Sequence, residues 1–508
     1  MFLRALGAVY FAAFYSLAFQ MRGLIGPQGI LPAAHYLLRV EQALGPLRFW
    51  YAPTLLWFGT SDRAVMLLCW AGLAASLLVM ANVWPRISLA VCFVCYLSFV
   101  AAAQDFSRYQ SDAMLLEAGF LALWFAPAGA WPGLGQRSLP MRASWLLLVY
   151  EWFRIYFESG AGKLLSGDVQ WRQLTALRDY YQNGPLPTWI GWYAAHLPNW
   201  FHWATALLTL VMELGLVGLV FCGRRARILC FWMVTLWQVA VILTANYTFL
   251  NYLVLVLAFL ILDDEYLRRF VPLRWRGRVV EPDAAPVIVN ADEETSFRDE
   301  MVRIGRAVRI AVVTVVMGWL FYASTAPMVM MFWRTAPIAP GMIRALLPFQ
   351  IANEYGLFEV MTRNRYEVEF QGSDDGATWT AYPFRYKPQD VMRRPGIYAP
   401  YQPRLDWNLW FAGLSTWDQN AFVVDTEAAL LANDRDVLGL FAGNPFAAKP
   451  PKFVRAVIWQ YWFTSAAEKR ATGAWWRREL KGTYAPTVTL QDGKLLPLAP
   501  PEITVALP

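Results

Sequence analysis

Glu151, Arg154 and Glu158 fall at i, i+3 and i+7 in a run that is otherwise apolar, at the head of EWFRIYFESGAGKLLSGDVQWRQLTALRDYYQNGPLPTWIGWYAAHLP. In a helix this spacing puts all three on one face, where opposite charges can neutralise one another. Charge at membrane depth is costly, so that face has to point into protein, either as a structural ion-pair cluster or as a binding or reactive site. Lys163 follows a few residues on, Gly160 and Gly162 are expected to stop the helix, and Asp168 and Arg172 are spaced for an i, i+4 pair on a following surface helix. These six charged residues form one candidate polar cluster.

Other chemistry is poorly supported. The three histidines, His35, His196 and His202, have no second ligand at zinc-motif spacing, so no metal site is expected. Ser159 and Ser166 precede glycines but lack a GxSxG strand-turn-helix setting, and SGAGKLLSGD lacks the GxxxxGK[ST] spacing of a phosphate loop. Cys92 and Cys95 sit inside an apolar span, without the electropositive surroundings that activate a thiolate. No catalytic residue and no cofactor is assigned.

The elements that position the cluster follow from the apolar pattern. With 57% hydrophobic and 16% charged residues, the chain is too apolar for one soluble domain and too polar in its second half for membrane alone. The reading is a polytopic α-helical membrane domain followed by a soluble β-rich, sandwich-like domain. About nine spans, within a range of 7–11, fall near residues 3–20, 64–83, 86–103, 112–126, 143–158, 200–222, 227–244, 246–262 and 308–333. The fourth and fifth apolar runs are short, so flanking residues extend them or they re-enter. The net charge of +7 is carried by arginines beside apolar segments, the pattern of membrane anchoring and not of nucleic-acid binding. Arg4, Arg86, Arg137, Arg142, Arg224, Arg225, Arg227 and the group from Arg268 to Arg278 occupy alternate loops, which are therefore expected in the cytosol.

This divides the chain into a transmembrane domain at 1–262 with an outer loop at 159–199, a cytosolic linker at 263–307, a last transmembrane helix at 308–334 and an extracytoplasmic domain at 335–508. In that last part Tyr366, Val368 and Phe370 alternate with charged residues before the SDDG turn, predicting a hairpin. Phe453–Phe463 and Tyr484–Leu490 read as strands, and Leu405–Leu414 and Thr426–Phe441 as helices. Arg393, Arg394, Tyr398, Tyr401, Arg404, Asp406 and Trp407 form a dense Arg, Pro and aromatic segment. It is either a loop held by Arg–carboxylate pairs or a client-binding surface.

Three ordered blocks carry a resemblance: FESGAGKLLSGDVQWRQLTALRDYYQNGPLPTWIGWYAAHLP, QSDAMLLEAGFLALWFAP from Gln110 to Pro127, and RRPGIYAPYQPRLDWNLWFAGL. The chain resembles the lipase maturation factor family over most of its length. The resemblance implies a multi-span membrane protein, of the endoplasmic reticulum in a eukaryote or the inner membrane in a bacterium, whose lumenal or periplasmic C-terminal domain helps secreted lipases become folded, assembled and active. The implied partners are the bilayer and secreted clients. The family tends to carry Tyr-His-Tyr-Glu where Asp179, Tyr180, Tyr181 and Gln182 stand here, and a His where Ala195 stands. Loss of the imidazole and carboxylate argues against acid–base catalysis at that turn. The expected function is a membrane-anchored maturation factor; the alternative is a membrane enzyme acting on a lipid or quinone through the Glu, Arg and Lys cluster.

Overall fold

A computed structural model describes residues 1–107, 109–133, 139–270 and 297–505. Each expected apolar span coincides with a helix: α1 (Phe2–Ala18), α2 (Asp62–Ala81), α3 (Pro85–Ala102), α4 (Gln110–Phe125), α5 (Arg142–Leu165), α6 (Asn199–Leu214), α7 (Arg224–Thr244), α8 (Leu250–Ala258) and α9 (Phe297–Phe332). Local signals set their ends. Ser61 caps α2 by accepting from the Ala64 N–H, and Asn82 closes it in the left-handed region at φ 61°. Pro85 opens α3 at a position where its missing N–H costs nothing.

Among the described residues five helices are long and apolar enough to cross a membrane: α2, α3, α7, Asn199–Phe221 (α6 with its terminal 3₁₀ turn) and Arg303–Phe332 within α9. Helix α1 and Leu250–Ile261 are apolar but shorter. Helices α4 and α5, with Glu213 of α6, carry the bundle's buried charges. α5 runs 24 residues, far past its apolar stretch, because Glu158, Lys163 and the glycines continue the helix inside protein. Helix α9 begins at Phe297, ahead of the expected start at 308, since the arginines that end its apolar run are good helix formers. Of the expected linker at 263–307, residues 271–296, with Arg274, Arg276 and Arg278, lie outside the described residues, as does Arg137.

Gly160 and Gly162 do not end α5. They let other groups approach it: a Cβ on Gly160 would lie 2.8 Å from the Glu213 Cβ, and one on Gly162 would lie 2.1 Å from a Glu359 carboxyl oxygen. Gly160→Ala is therefore expected to destabilise the protein by about 1–3 kcal/mol through overpacking. Alanine's helix propensity, better by about 1 kcal/mol, only partly offsets that. A thermal unfolding curve in detergent checks the sign.

The C-terminal part forms one antiparallel sheet of six strands, β1 (Arg365–Ser373), β2 (Thr380–Ala381), β3 (Phe453–Phe463), β4 (Trp476–Thr483), β5 (Thr487–Gln491) and β6 (Lys494–Ala499), in the order β2-β1-β3-β5-β6 with β4 also on β3. The expected hairpin is present, with Gln371 opposite Ala381, and β1 pairs with β3 from Arg365 opposite Tyr461 to Ser373 opposite Phe453. The layer packed on this sheet is helical: α10 (Arg404–Ala412) lies on β1 and α11 (Phe422–Leu431) on β3, where a sandwich would have a second sheet. Tyr366, Val368 and Phe370 fill that interface. Their charged neighbours Arg365, Glu367 and Glu369 are also buried, because the other face of β1 is covered by the outer loop at Arg365 and by Lys387, Gln389 and Arg478 at Glu367 and Glu369. There Arg365 donates to the carbonyls of Gln182, Gly184 and Pro185.

This domain caps one end of the helical bundle. Gln20, Tyr109, Lys163, Trp171 and Asn246, which stand at or just beyond helix ends, all hydrogen-bond residues between Leu357 and Asn408. At the opposite end Arg86 reaches the Ala126 carbonyl, Trp145 reaches Leu260, and Arg224 pairs with Asp263 at 2.7 Å.

Candidate functional site

Besides the Arg365, Glu367 and Lys387 group on β1, two buried ionic assemblies among the described residues join the bundle helices to the C-terminal domain. The first is built on α5, whose Glu151, Arg154 and Glu158 are fully buried on one face as their spacing requires. Arg154 pairs with Glu117 of α4, approaches Glu158 at 3.7 Å and donates to the carbonyls of Ser324 (3.1 Å) and Asn353 (2.6 Å). Glu117 in turn accepts from the Asn353 N–H (3.0 Å), the Asn353 amide (3.0 Å) and the Tyr355 hydroxyl (2.8 Å). Glu158 accepts from the Tyr355 N–H at 2.8 Å. Further along, Ser159 Oγ accepts from the Leu357 N–H, and Lys163 pairs with Glu213 at 2.8 Å and donates to the Leu357 carbonyl at 2.7 Å. Trp171 then holds the Phe358 carbonyl, and Asp168 accepts from the Met361 N–H at 2.6 Å.

The partners of this assembly are thus largely the backbone of one strap, residues 353–361, threaded between the bundle and β1. A strap without its own ladder has polar groups that must be satisfied by side chains, and the cluster supplies them. Asp168 does not pair with Arg172: its carboxylate caps the helix Val169–Arg172 through the Gln170 N–H and binds the strap, while Arg172 is exposed. Glu151 shares this face, but neither of its oxygens accepts a hydrogen bond among the described residues.

The second assembly centres on Arg404, in the segment read from sequence as either a loop held by Arg–carboxylate pairs or a client-binding surface. It is fully buried and forms a two-pronged pair with Asp112 of α4, at 2.8 and 2.9 Å. The Tyr96 hydroxyl donates to the same carboxylate at 2.6 Å. Ser16 and Gln20 of the α1 end accept from the N–H groups of Gln402 and Arg404. Trp407 is 9% exposed, with the rings of Tyr109 and Tyr247 each 6.3 Å away. Tyr398 and Tyr401 are half-buried against Tyr386. Arg393 and Arg394 are exposed, Arg393 bonded to the Arg385 carbonyl and Arg394 over the Trp189 ring. The segment is therefore a seam between domains with two exposed arginines at its edge.

Asp406 is buried and accepts from the N–H groups of Lys387 and Tyr386, with Glu367 nearby; burial raises its pKa to about 6. A carboxyl whose folded pKa is raised is favoured protonated, so its contribution is full below about pH 4 and is lost as pH rises through about 6. Asp406→Asn keeps an acceptor without the charge. At pH 8 it is expected to gain up to about 3 kcal/mol relative to wild type, compared with the difference between the two at pH 4. Denaturant titrations at the two pH values check this.

Glu117, Glu213, Asp112, Asn353 and Tyr355 were not among the expected site residues. Asp112 and Glu117 carried the one available signal, charge inside the apolar run QSDAMLLEAGF. Glu213 sits alike within α6, while nothing local marks Asn353 or Tyr355.

The fold and its two buried assemblies define a multi-helix membrane protein with a β-sheet domain docked across one end of the bundle. Residues 1–269 match the family model described as the lipase maturation factor transmembrane domain, and residues 351–486 match the lipase maturation factor C-terminal domain. The chain is 32% identical to lipase maturation factor 2 of Gallus gallus, over 97% of this chain and 82% of that protein. It is also 32% identical to lipase maturation factor 1 of Bos taurus, over 96% and 88%, and to that of Homo sapiens, over 96% and 87%. The chain belongs to the lipase maturation factor family. No solved structure matches it.

Proposed function

We propose that this protein is a membrane-anchored maturation factor that assists secreted lipases, with its C-terminal domain and outer loop outside the cytosol. The observation that carries the reading is the similarity to named lipase maturation factors through both domains. Orientation rests on Arg86, Arg142 and Arg224, which stand at the end of the bundle away from the C-terminal domain, the end that the positive-inside rule assigns to the cytosol. The buried charges serve to hold the domain on the bundle. The exposed Arg393 and Arg394, beside half-buried Tyr398 and Tyr401, are the part of the seam left for a client.

Crosslinking in membranes of the natural source, with mass spectrometry of what the C-terminal domain captures, tests the reading: lipases are expected, and their consistent absence would overturn it. Orientation is tested with single cysteines in a Cys222→Ser background. Ala377→Cys is expected to react with an impermeant reagent in intact cells or sealed lumen-out vesicles, and Asp264→Cys only after permeabilisation; the reverse pattern would invert the scheme.

One observation favours the alternative of an enzyme acting on a lipid or quinone: a cavity of about 610 Å³ reaches Ser159, Lys163 and Glu213. Against it, the Lys163 ammonium is already engaged by Glu213 and the Leu357 carbonyl.

A further inference from the structure

We propose that this cavity is a binding site for a neutral lipid, one with a hydroxyl or carbonyl oxygen on its head and a single long apolar chain. Its volume, about 610 Å³, lies within the roughly 300–1,000 Å³ of small-molecule sites. It extends from the domain seam, at Phe358 and Trp407, down between the helices to Ile155 and Val254.

Three features select the ligand. The first is charge: the Lys163 and Glu213 that reach the cavity neutralise each other at 2.8 Å, and Glu359 adds a carboxyl at its edge, so the site holds no spare positive charge for an anionic head. The second is a polar group with nothing to bind. The Asn251 side chain lines the cavity, is 3% exposed, and its Nδ2 donates to nothing among the described residues. A buried donor left unmade costs about 1–3 kcal/mol, and an oxygen on a ligand head would satisfy it. The third is access. Leu208 of α6 and Ala240 of α7 line the cavity and are also exposed on helices of membrane-spanning length, while close packing between α6 and α7 is confined to the turn that joins them. The mouth between these helices opens toward the bilayer, from which a lipid would enter sideways.

The test uses the full chain purified in detergent and reads lipid binding on the protein alone, so it stands or falls apart from any lipase. Thermal unfolding is followed with 1-oleoylglycerol, with decylubiquinone, with oleate and with phosphatidylcholine. A neutral ligand is expected to raise Tm by a few degrees at saturation, and oleate and phosphatidylcholine are expected to do so by much less. Whichever of the acylglycerol and the quinone gives the shift identifies the source. Asn251→Leu should abolish the shift while its own ligand-free Tm stays equal or rises, because an unpaired amide has been removed. Ala240→Trp, at the exposed mouth, should also abolish it without loss of folding. The proposal is overturned if neither neutral compound shifts Tm, if oleate matches them, or if Ala240→Trp and Asn251→Leu both respond as the wild type does.

Discussion

Arg404→Met is expected to remove most of the folded protein, lowering stability by about 3–5 kcal/mol, because Asp112 is left as a buried charge with only the Tyr96 hydroxyl on it. The loss should be visible as a lower yield of monodisperse protein and a lower Tm. The double replacement Arg404→Met with Asp112→Leu removes both charges, and a buried pair replaced by apolar groups of similar size is often neutral in stability. It should therefore recover most of the loss, with an interaction energy of about 1–3 kcal/mol in the double-mutant cycle. Equal stability of wild type and Arg404→Met would mean that the seam does not hold the domain. Trp407→Ala, which empties the space beside Tyr109 and Tyr247, should cost about 3–5 kcal/mol by a different route, lost packing.

Glu117→Leu should be as damaging. It strips the strap of the acceptor for the Asn353 N–H, the Asn353 amide and the Tyr355 hydroxyl, and leaves Arg154 with the Ser324 and Asn353 carbonyls and with Glu158 at 3.7 Å. The expected cost is again about 3–5 kcal/mol. The signature should be local: residues 353–361 become the first site of proteolysis and exchange their amide hydrogens fastest. Glu117→Gln retains one acceptor oxygen and should lose less. If Glu117→Leu left the strap as protected as in the wild type, the clamp would lie elsewhere.

The helices were legible because apolar runs of membrane length are a strong signal, and β1 and β3 because alternation and β-branched or aromatic content mark them. Two strands were missed for physical reasons. β4, WRRELKGT, carries four charges in eight residues and fully buries only Trp476, and β6, KLLPLA, is apolar but mostly exposed with a proline inside it, so neither shows the alternation of a half-buried strand. The face shared by Glu151, Arg154 and Glu158 followed from helical spacing alone. Their partners did not, since Glu117 comes from another helix and Asn353 and Tyr355 from a strap some two hundred residues away. Arg404, Asp406 and Trp407 have the composition of an interface, and that is what they form, but within one chain. Composition cannot tell an interface with a client from one between domains.

In our proposal the α5 cluster positions the C-terminal domain and does not react. Its most direct test is the amount of active secreted lipase produced per unit of folded factor, in cells lacking their own factor and supplied with wild type, Glu158→Gln or Lys163→Met. Glu158→Gln keeps an acceptor for the Tyr355 N–H but takes a negative charge away from buried Arg154, and Lys163→Met leaves Glu213 unpaired, so both should lower the amount of folded factor. Lipase activity per folded molecule is predicted to stay at the wild-type level. Full folded levels with lipase activity abolished would contradict it and assign the cluster a reactive role.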